Sequence, residues 1–284
     1  MTMKRKAILI FSAIILLIVL WICCLDYENT SLSVSRYEIV NKKIPQAFHG
    51  FKIIQISDFH NTRSKKLTNA LWREIKKQNP DIIVFTGDFI DSYKTDIDGS
   101  VDFVKEIKDI APAYFVTGNH EARIDGYAKL KDELTKNGVI ILDDKAAVIQ
   151  KGDAQFCLLG VDDPSMARGS FLSDEEIVDS ALNNMEYDKN DYCVLLSHRP
   201  EIFPCYVRNE IDLVLTGHAH GGQIRIPFLG GLYAPNQGVF PKYTSGSFAE
   251  DETTMIVSRG IGNSLFPFRI HNRPELVVVT LKAE

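Results

Sequence analysis

The sequence predicts an α/β protein: a four-layer α-β-β-α sandwich with two packed sheets flanked by helices, preceded by one N-terminal transmembrane helix. Three observations predict it. The first half alternates short apolar runs with amphipathic segments in the order βαβαβα. From about residue 139 the pattern turns strand-rich, with tight turns and fewer helices. Ahead of both stands a charge-free apolar run from Ala7 to Leu25.

That run comes first. It is 19 residues long, AILIFSAIILLIVLWICCL, and as a helix such a length spans a hydrocarbon core of about 30 Å. Lys4, Arg5 and Lys6 precede it, and Asp26 and Glu28 follow. The positive-inside rule puts the N-terminus in the cytoplasm and everything after Leu25 outside. Trp21 and Tyr27 suit the outer interface. A cleaved signal peptide is the competing reading, but the run exceeds a typical apolar region and no A-x-A-like site follows. A lipoprotein site at Cys23 or Cys24 would want small residues before it, where Trp21 and Ile22 stand. The expectation is an uncleaved anchor over residues 1–25, a stalk and lead-in strand over 26–50, and a catalytic domain over 51–284.

The elements of that domain follow in order. SVSRYEIV alternates in its second half, as a strand does. FKIIQIS is an apolar run reaching Asp58 and His60. LTNALWREIKKQNP puts Leu67, Leu71 and Ile75 on one helical face and stops at Asn79-Pro80. DIIVFTGD is a buried strand, SVDFVKEIKDI a helix, APAYFVTGNHE a third strand, and GYAKLKDELTKNG a helix closed by Gly138. VIILDD and AAVIQKGDAQFCLLGVDD read as consecutive strands. SDEEIVDSALNNM opens with Ser173 as N-cap and Glu176 three residues on. DYCVLLSHRP and IDLVLTGHAHGG are apolar strands ending in histidine, and TTMIVSRGIG and PELVVVTLKAE supply two more.

Composition bounds the function. With 45% apolar and 24% charged residues a full core is within reach and global disorder is excluded. A net charge of −5, without a Lys/Arg-rich segment in the catalytic region, argues against nucleic acid as a partner and against a nuclease. The five cysteines form no C-x-x-C pair and no regular framework, so they read as free thiols.

Five strand ends share one feature: each runs into metal-binding side chains. These are Asp58-Phe59-His60, Gly87-Asp88, Gly118-Asn119-His120-Glu121, His198, and Gly217-His218-Ala219-His220. Ligands at the carboxyl ends of neighbouring strands converge in space. Hydrolysis of a phosphate ester wants its charge neutralised and a hydroxide available at neutral pH. Two divalent ions about 3.5–4 Å apart supply both, and a metal-bound hydroxide then attacks phosphorus. They need a carboxylate that bridges them, with imidazoles and an amide completing each shell. Taken singly, Asp58 or Asp88 reads as a turn or helix cap, and His198 as an ordinary polar residue. His49 and His271 match no motif, and Asp91, Asp96 and Asp98 form an acidic patch that loop solvation explains.

In this order, D-x-H, G-D, G-N-H-E, a lone H and G-H-x-H resemble the calcineurin-like metallophosphoesterases, from about Phe51 to His220. The resemblance implies two mixed sheets and residue roles. Asp58, His60 and His220 would ligate one metal; Asn119, His198 and His218 the second; Asp88 would bridge them. His120 would contact the substrate and protonate the leaving oxygen, with Glu121 behind the ligands. Two divalent cations are implied, and ligands without thiolate suit manganese, iron or zinc.

The anchor, SDFH, TGHAHGGQ and the tail SRGIGNSLFPFRIHNRPEL are similar to the bacterial membrane-associated branch, which includes phosphodiesterases and enzymes resembling UDP-diacylglucosamine pyrophosphatases. Phe266 and Phe268 beside Arg259, Arg269 and Arg273 read either as core and solvated charge or as a site for a lipid chain with an anionic head. In the second reading Arg269 holds a phosphate oxygen. The expected activity is a phosphodiesterase or pyrophosphatase on a cell-envelope or lipid-linked phosphate. A phosphomonoesterase on the same metals is the alternative. A non-catalytic binding module would have lost ligands, and none of the seven matched positions is lost.

Overall fold

A computed structural model describes residues 3–263 and 266–284. Helix α1 (Met3–Thr30) precedes β1 (Ser33–Asn41), β2 (Lys52–Ile56), α2 (Lys65–Gln78), β3 (Ile82–Thr86), α3 (Ile97–Ile107), β4 (Ala113–Val116), α4 (Tyr127–Lys136) and β5 (Val139–Ile141). Then come β6 (Lys145–Lys151), β7 (Ala154–Gly160), α5 (Asp174–Asn184), β8 (Cys193–Leu196), α6 (Phe203–Arg208) and β9 (Leu213–Thr216). Two small hairpins, β10 (Arg225–Ile226) with β11 (Gly230–Gly231) and β12 (Tyr233–Ala234) with β13 (Gly238–Val239), lead to β14 (Gly246–Glu250), β15 (Thr253–Val257) and β16 (Glu275–Ala283).

The strands form two six-stranded sheets, ordered β1-β16-β2-β3-β4-β5 and β14-β15-β9-β8-β7-β6. Both are mixed. In the first, β2 through β5 run parallel and β16 is antiparallel to β2. In the second, β7, β8, β9 and β15 run parallel, with antiparallel β6 and β14 at the edges.

The alternation of side chains along each strand builds the four layers. On β2, Ile53 faces the second sheet while Ile54 faces the helices; on β3, Val84 and Phe85 divide in the same way. The inter-sheet layer joins Ile53, Val84 and Val277 to Phe156, Val194 and Leu215. Helices α2, α3 and α4 cover the outer face of the first sheet, and α5 and α6 that of the second. On α2 the buried stripe is Leu67, Leu71 and Ile75; Ser64 caps its start and Asn79, at φ 49°, ends it. Removing the Leu71 side chain to Ala would cost about 2–5 kcal/mol. The capping box of α5 is present, Ser173 and Glu176 each satisfying the other's backbone N–H.

The structure adds elements that the pattern did not announce. Helix α6 is six residues long with a proline in its first turn, too short to show a period. Helix α1 continues past Leu25 to Thr30, and β1 pairs in parallel with β16 along its whole length. The last turn of α1 is tied to the tail: Asn272 donates its backbone N–H to Glu28 Oε2 at 2.9 Å, and Asn263 Nδ2 donates to Asn29 Oδ1 at 2.8 Å. All five cysteines are free, Cys157, Cys193 and Cys205 among them buried.

Candidate metal centre

Because the parallel strands of each sheet point the same way, the carboxyl ends of β2, β3, β4, β8 and β9 meet along one edge of the sandwich. Side chains reach that edge only where the backbone turns sharply just past the strand. Asp58, His60, Asp88, His218 and His220 all take left-handed backbone, with φ between 45° and 65°. Such conformations cost about 1–3 kcal/mol each for a residue with a Cβ. Main-chain bonds hold them, among them Asp58 N–H to Gly87 O at 3.0 Å and His60 N–H to Asp88 O at 3.1 Å. Glycine is required beside them for space: a Cβ on Gly118 would collide with the backbone and carboxylate of Asp88, and one on Gly217 with Ser57 and Asp58.

The ligand atoms fall into two groups. Asp58, His60, Asp88 and His220 present atoms within 4.8 Å of one another, and so do Asp88, His198 and His218. In the first group His60 Nε2 lies 3.0 Å from His220 Nε2, and His220 Nε2 lies 3.2 Å from Asp58 Oδ1. In the second, His198 Nε2 is 3.2 Å from both Asp88 Oδ2 and His218 Nδ1. Asp88 is common to both, as a bridging carboxylate must be. Asn119 joins the second group, its amide 2.9 Å from His218 Nδ1.

These spacings test the fit to metal. Around an ion with ligands at about 2.0–2.2 Å, neighbouring donor atoms sit roughly 3.0–3.4 Å apart, as the His60–His220, His220–Asp58, His198–Asp88 and His198–His218 pairs do, while His60 Nε2 stands 3.7 Å from Asp88 Oδ2 and 4.0 Å from Asp58 Oδ1. Tautomers agree. His198 donates Nδ1–H to Thr86 O at 2.8 Å, leaving the Nε2 lone pair for the centre. Burial holds His60 down to about 3 and His218 and His220 well below the usual histidine range, so these rings are neutral. Burial lifts Asp58 to about 6. Burial also raises Asp88, but the charge and hydrogen bond of His198 beside it outweigh that and keep it ionised. His198 is the exception among the rings: burial pulls it down, but Asp88, Asp58 and Asp163 raise it to about 10, so in the metal-free cluster it carries the positive charge. The set fits two divalent cations.

His120 stands beside this cluster. Its Nδ1 accepts the Ser92 backbone N–H at 2.9 Å, which places the remaining ring proton on Nε2, 3.9 Å from Asp88 Oδ2. Burial lowers its pKa, so it remains a neutral donor. Glu121 is wholly buried and accepts from the backbone N–H groups of Asp88, Ile90 and Gly118. Asp96 caps α3 and Asp98 pairs with Lys129, whereas Asp91 Oδ1 lies 3.9 Å from His120 Nδ1. Asp163 went unnoticed in the sequence. It holds Arg199 by two hydrogen bonds, at 2.5 and 2.9 Å, just behind His218.

The tail residues lie elsewhere. Arg269 does not reach a substrate: it is fully buried, and its guanidinium donates to the carbonyls of Arg259, Gly262 and Asn272, to Asn263 Oδ1, and toward His220 Nδ1. No N–H is left for a phosphate oxygen; the residue instead staples the 259–272 loop behind His220. Phe266 and Phe268 are partly exposed, and Phe268 borders an apolar cavity of about 380 Å³ with Trp21, Ile22 and Leu25 of α1. The cleft over the metal ligands is a different one, about 500 Å³, edged by Tyr93, His120, Arg123, Arg199 and Tyr233.

Paired carboxylates, an amide and four imidazoles on the edge of a two-sheet sandwich define a metal-dependent phosphoric ester hydrolase. The chain belongs to the calcineurin-like phosphoesterase family, whose model matches residues 51–222. It is 29% identical over 267 residues to the uncharacterized metallophosphoesterase YkuE of Bacillus subtilis, covering 90% of this chain and 87% of that one. It is 28% identical over 238 residues to the phosphodiesterase YaeI of Escherichia coli, covering 81% and 82%. Among solved structures, the Thermus thermophilus sulfate thiohydrolase SoxB in complex with glycerol shares the fold at a TM-score of 0.51 and 14% identity, over 84% of this chain and 57% of that one.

Proposed function

We propose that this protein is a membrane-anchored phosphodiesterase or pyrophosphatase, acting outside the cytoplasm on a cell-envelope or lipid-linked phosphate. One observation carries the catalytic part: Asp88 is shared between two groups of metal-ligating atoms, with the neutral His120 Nε2–H aimed at the same point. When bound, two divalent ions would neutralise phosphoryl oxygens and supply hydroxide at neutral pH. Asp58, His60 and His220 would hold one; Asn119, His198 and His218 the other. His120 then donates its Nε2 proton to the leaving oxygen. Its Nδ1, already accepting from Ser92, keeps the ring from turning.

Diester chemistry is supported by the likeness to a protein named as a phosphodiesterase. The cleft of about 500 Å³ also leaves room for a substituent on either side of phosphorus. The anchor is supported by the length and composition of α1, whose apolar stretch has a mean hydropathy of 3.2. The extracytoplasmic side is supported by Lys4, Arg5 and Lys6 ahead of it. The deciding experiment compares a chromogenic phosphodiester with its monoester on metal-reconstituted protein. A kcat/KM at least tenfold higher on the diester is expected. Preference for the monoester would make the protein a phosphomonoesterase.

A further inference from the structure

Asn119 faces an acceptor on one side and a donor on the other. With its amide oxygen toward the metal ligands, that oxygen is 2.9 Å from His218 Nδ1, acceptor against acceptor. Its amide nitrogen then lies 3.2 and 3.3 Å from Arg123 Nη1 and Nη2, donor against donor. In a metal-free protein the amide can turn over and satisfy both contacts as hydrogen bonds. On the two-metal reading it cannot, because its oxygen is a ligand and the nitrogen must point at Arg123. The first mismatch is resolved by a cation. The second is resolved by an acceptor that both N–H groups can reach, and beside a cationic guanidinium an anionic oxygen is the favoured one.

The surroundings point to the same ligand. Of the two arginines that edge the cleft, Arg199 is buried and committed to Asp163, Ser165 and Glu201. Arg123 is exposed, forms no ion pair among the described residues, and is fixed at the end of the short turn Glu121–Arg123. Its guanidinium fork matches two oxygens of a phosphoryl group.

We propose that Arg123 and the Asn119 amide N–H together clamp a non-bridging oxygen of the substrate phosphoryl group. Arg123 is then a substrate-binding residue of the catalytic cleft, and the inference rests on the two-metal reading above.

The test uses the full chain in detergent, loaded with manganese and titrated with inorganic phosphate by calorimetry. Arg123→Ala should retain both metals by elemental analysis and weaken phosphate binding by about tenfold to a hundredfold. Arg123→Lys should recover only part of that loss, since a point charge replaces a fork. Unchanged phosphate affinity in metal-loaded Arg123→Ala would overturn the clamp while leaving the metal centre standing. Loss of metal in that variant would make Arg123 a support of the shell and not a substrate contact. A wild-type protein that holds no metal would overturn the two-metal reading itself.

Discussion

The buried carboxylate of Glu121 accepts the backbone N–H of Asp88 at 2.9 Å, and by the same oxygen that of Gly118 at 2.7 Å. It thereby ties the loop after β3 to the loop after β4. Burial, with Asp88 close by, raises its pKa to about 7, and the backbone donors favour the ionised form. Glu121→Gln keeps the shape but can offer only one oxygen to three N–H groups. We expect metal affinity to fall about tenfold to a hundredfold. Retention of full metal occupancy, by elemental analysis after dialysis, would mean that Asp88 holds its place without Glu121.

Asp88 and His120 separate binding from turnover. Asp88→Asn removes the one charge common to both ligand groups, so both ions should loosen and activity should vanish. His120→Ala should keep both ions and lose about a hundredfold or more in kcat, in the range of a general acid. If metal leaves in His120→Ala, the ring belongs among the ligands and not beside them.

The charge on His198 sets a pH dependence. Its pKa in the metal-free protein is raised from 6.5 to about 10. The stabilisation this represents is complete below 6.5 and disappears as pH rises through about 10. A metal competes with that proton, so affinity should climb across the same window. Calorimetry at pH 8 in buffers of different ionisation enthalpy should show protons released on metal binding. The melting-temperature gap between loaded and chelator-treated protein should widen from pH 7 to pH 9. A constant gap without proton release would remove His198 from the ligand set.

Much of this was legible in the sequence, for definite reasons. The layers could be read because Leu67, Leu71 and Ile75 recur at helical spacing and buried strands such as IIVFT are unbroken apolar runs. The candidate ligands could be read because each follows its apolar strand directly, and the strand ends that carry them converge although Asp58 and His220 stand far apart in sequence. Contacts between segments far apart in sequence could not be read. Asp163 meets Arg199 across 36 positions, and Asn29 meets Asn263 across 234. Arg269 misled because an arginine beside phenylalanines looks like a surface site, whereas this one is buried and its N–H groups face three loop carbonyls, Asn263 Oδ1 and His220.

The proposed anchor makes a prediction about fractionation. Residues 7–25 carry no charge, and the helix runs unbroken into a turn bonded to the catalytic domain through Glu28 and Asn29. The protein should stay with membranes after a high-salt wash, and protease added to intact spheroplasts should degrade the catalytic domain. Recovery of a mature chain starting near Asp26 would replace the anchor by a cleaved signal.

Phe268 tests whether the substrate carries a lipid. The apolar cavity against α1 holds Trp21, Leu25 and Phe268, and a second cavity of about 420 Å³ reaches His60. Both are lined by Asn29 and Asn263, whose hydrogen bond stands where the two adjoin. A lipid-linked phosphate drawn from the membrane surface would rest its first carbons against Phe268 while its head group lies on the metal side. Each methylene buried there contributes about 0.8 kcal/mol, so losing contact with one or two carbons corresponds to about a tenfold change in KM. Phe268→Ser should therefore raise KM about tenfold for a lipid-bearing phosphodiester. A small soluble diester needs only the separate cleft lined by Tyr93 and His120, and its KM should move less than twofold. Equal losses on both substrates would mean that Phe268 supports the fold. No loss on either would place the substrate among soluble phosphate esters of the envelope.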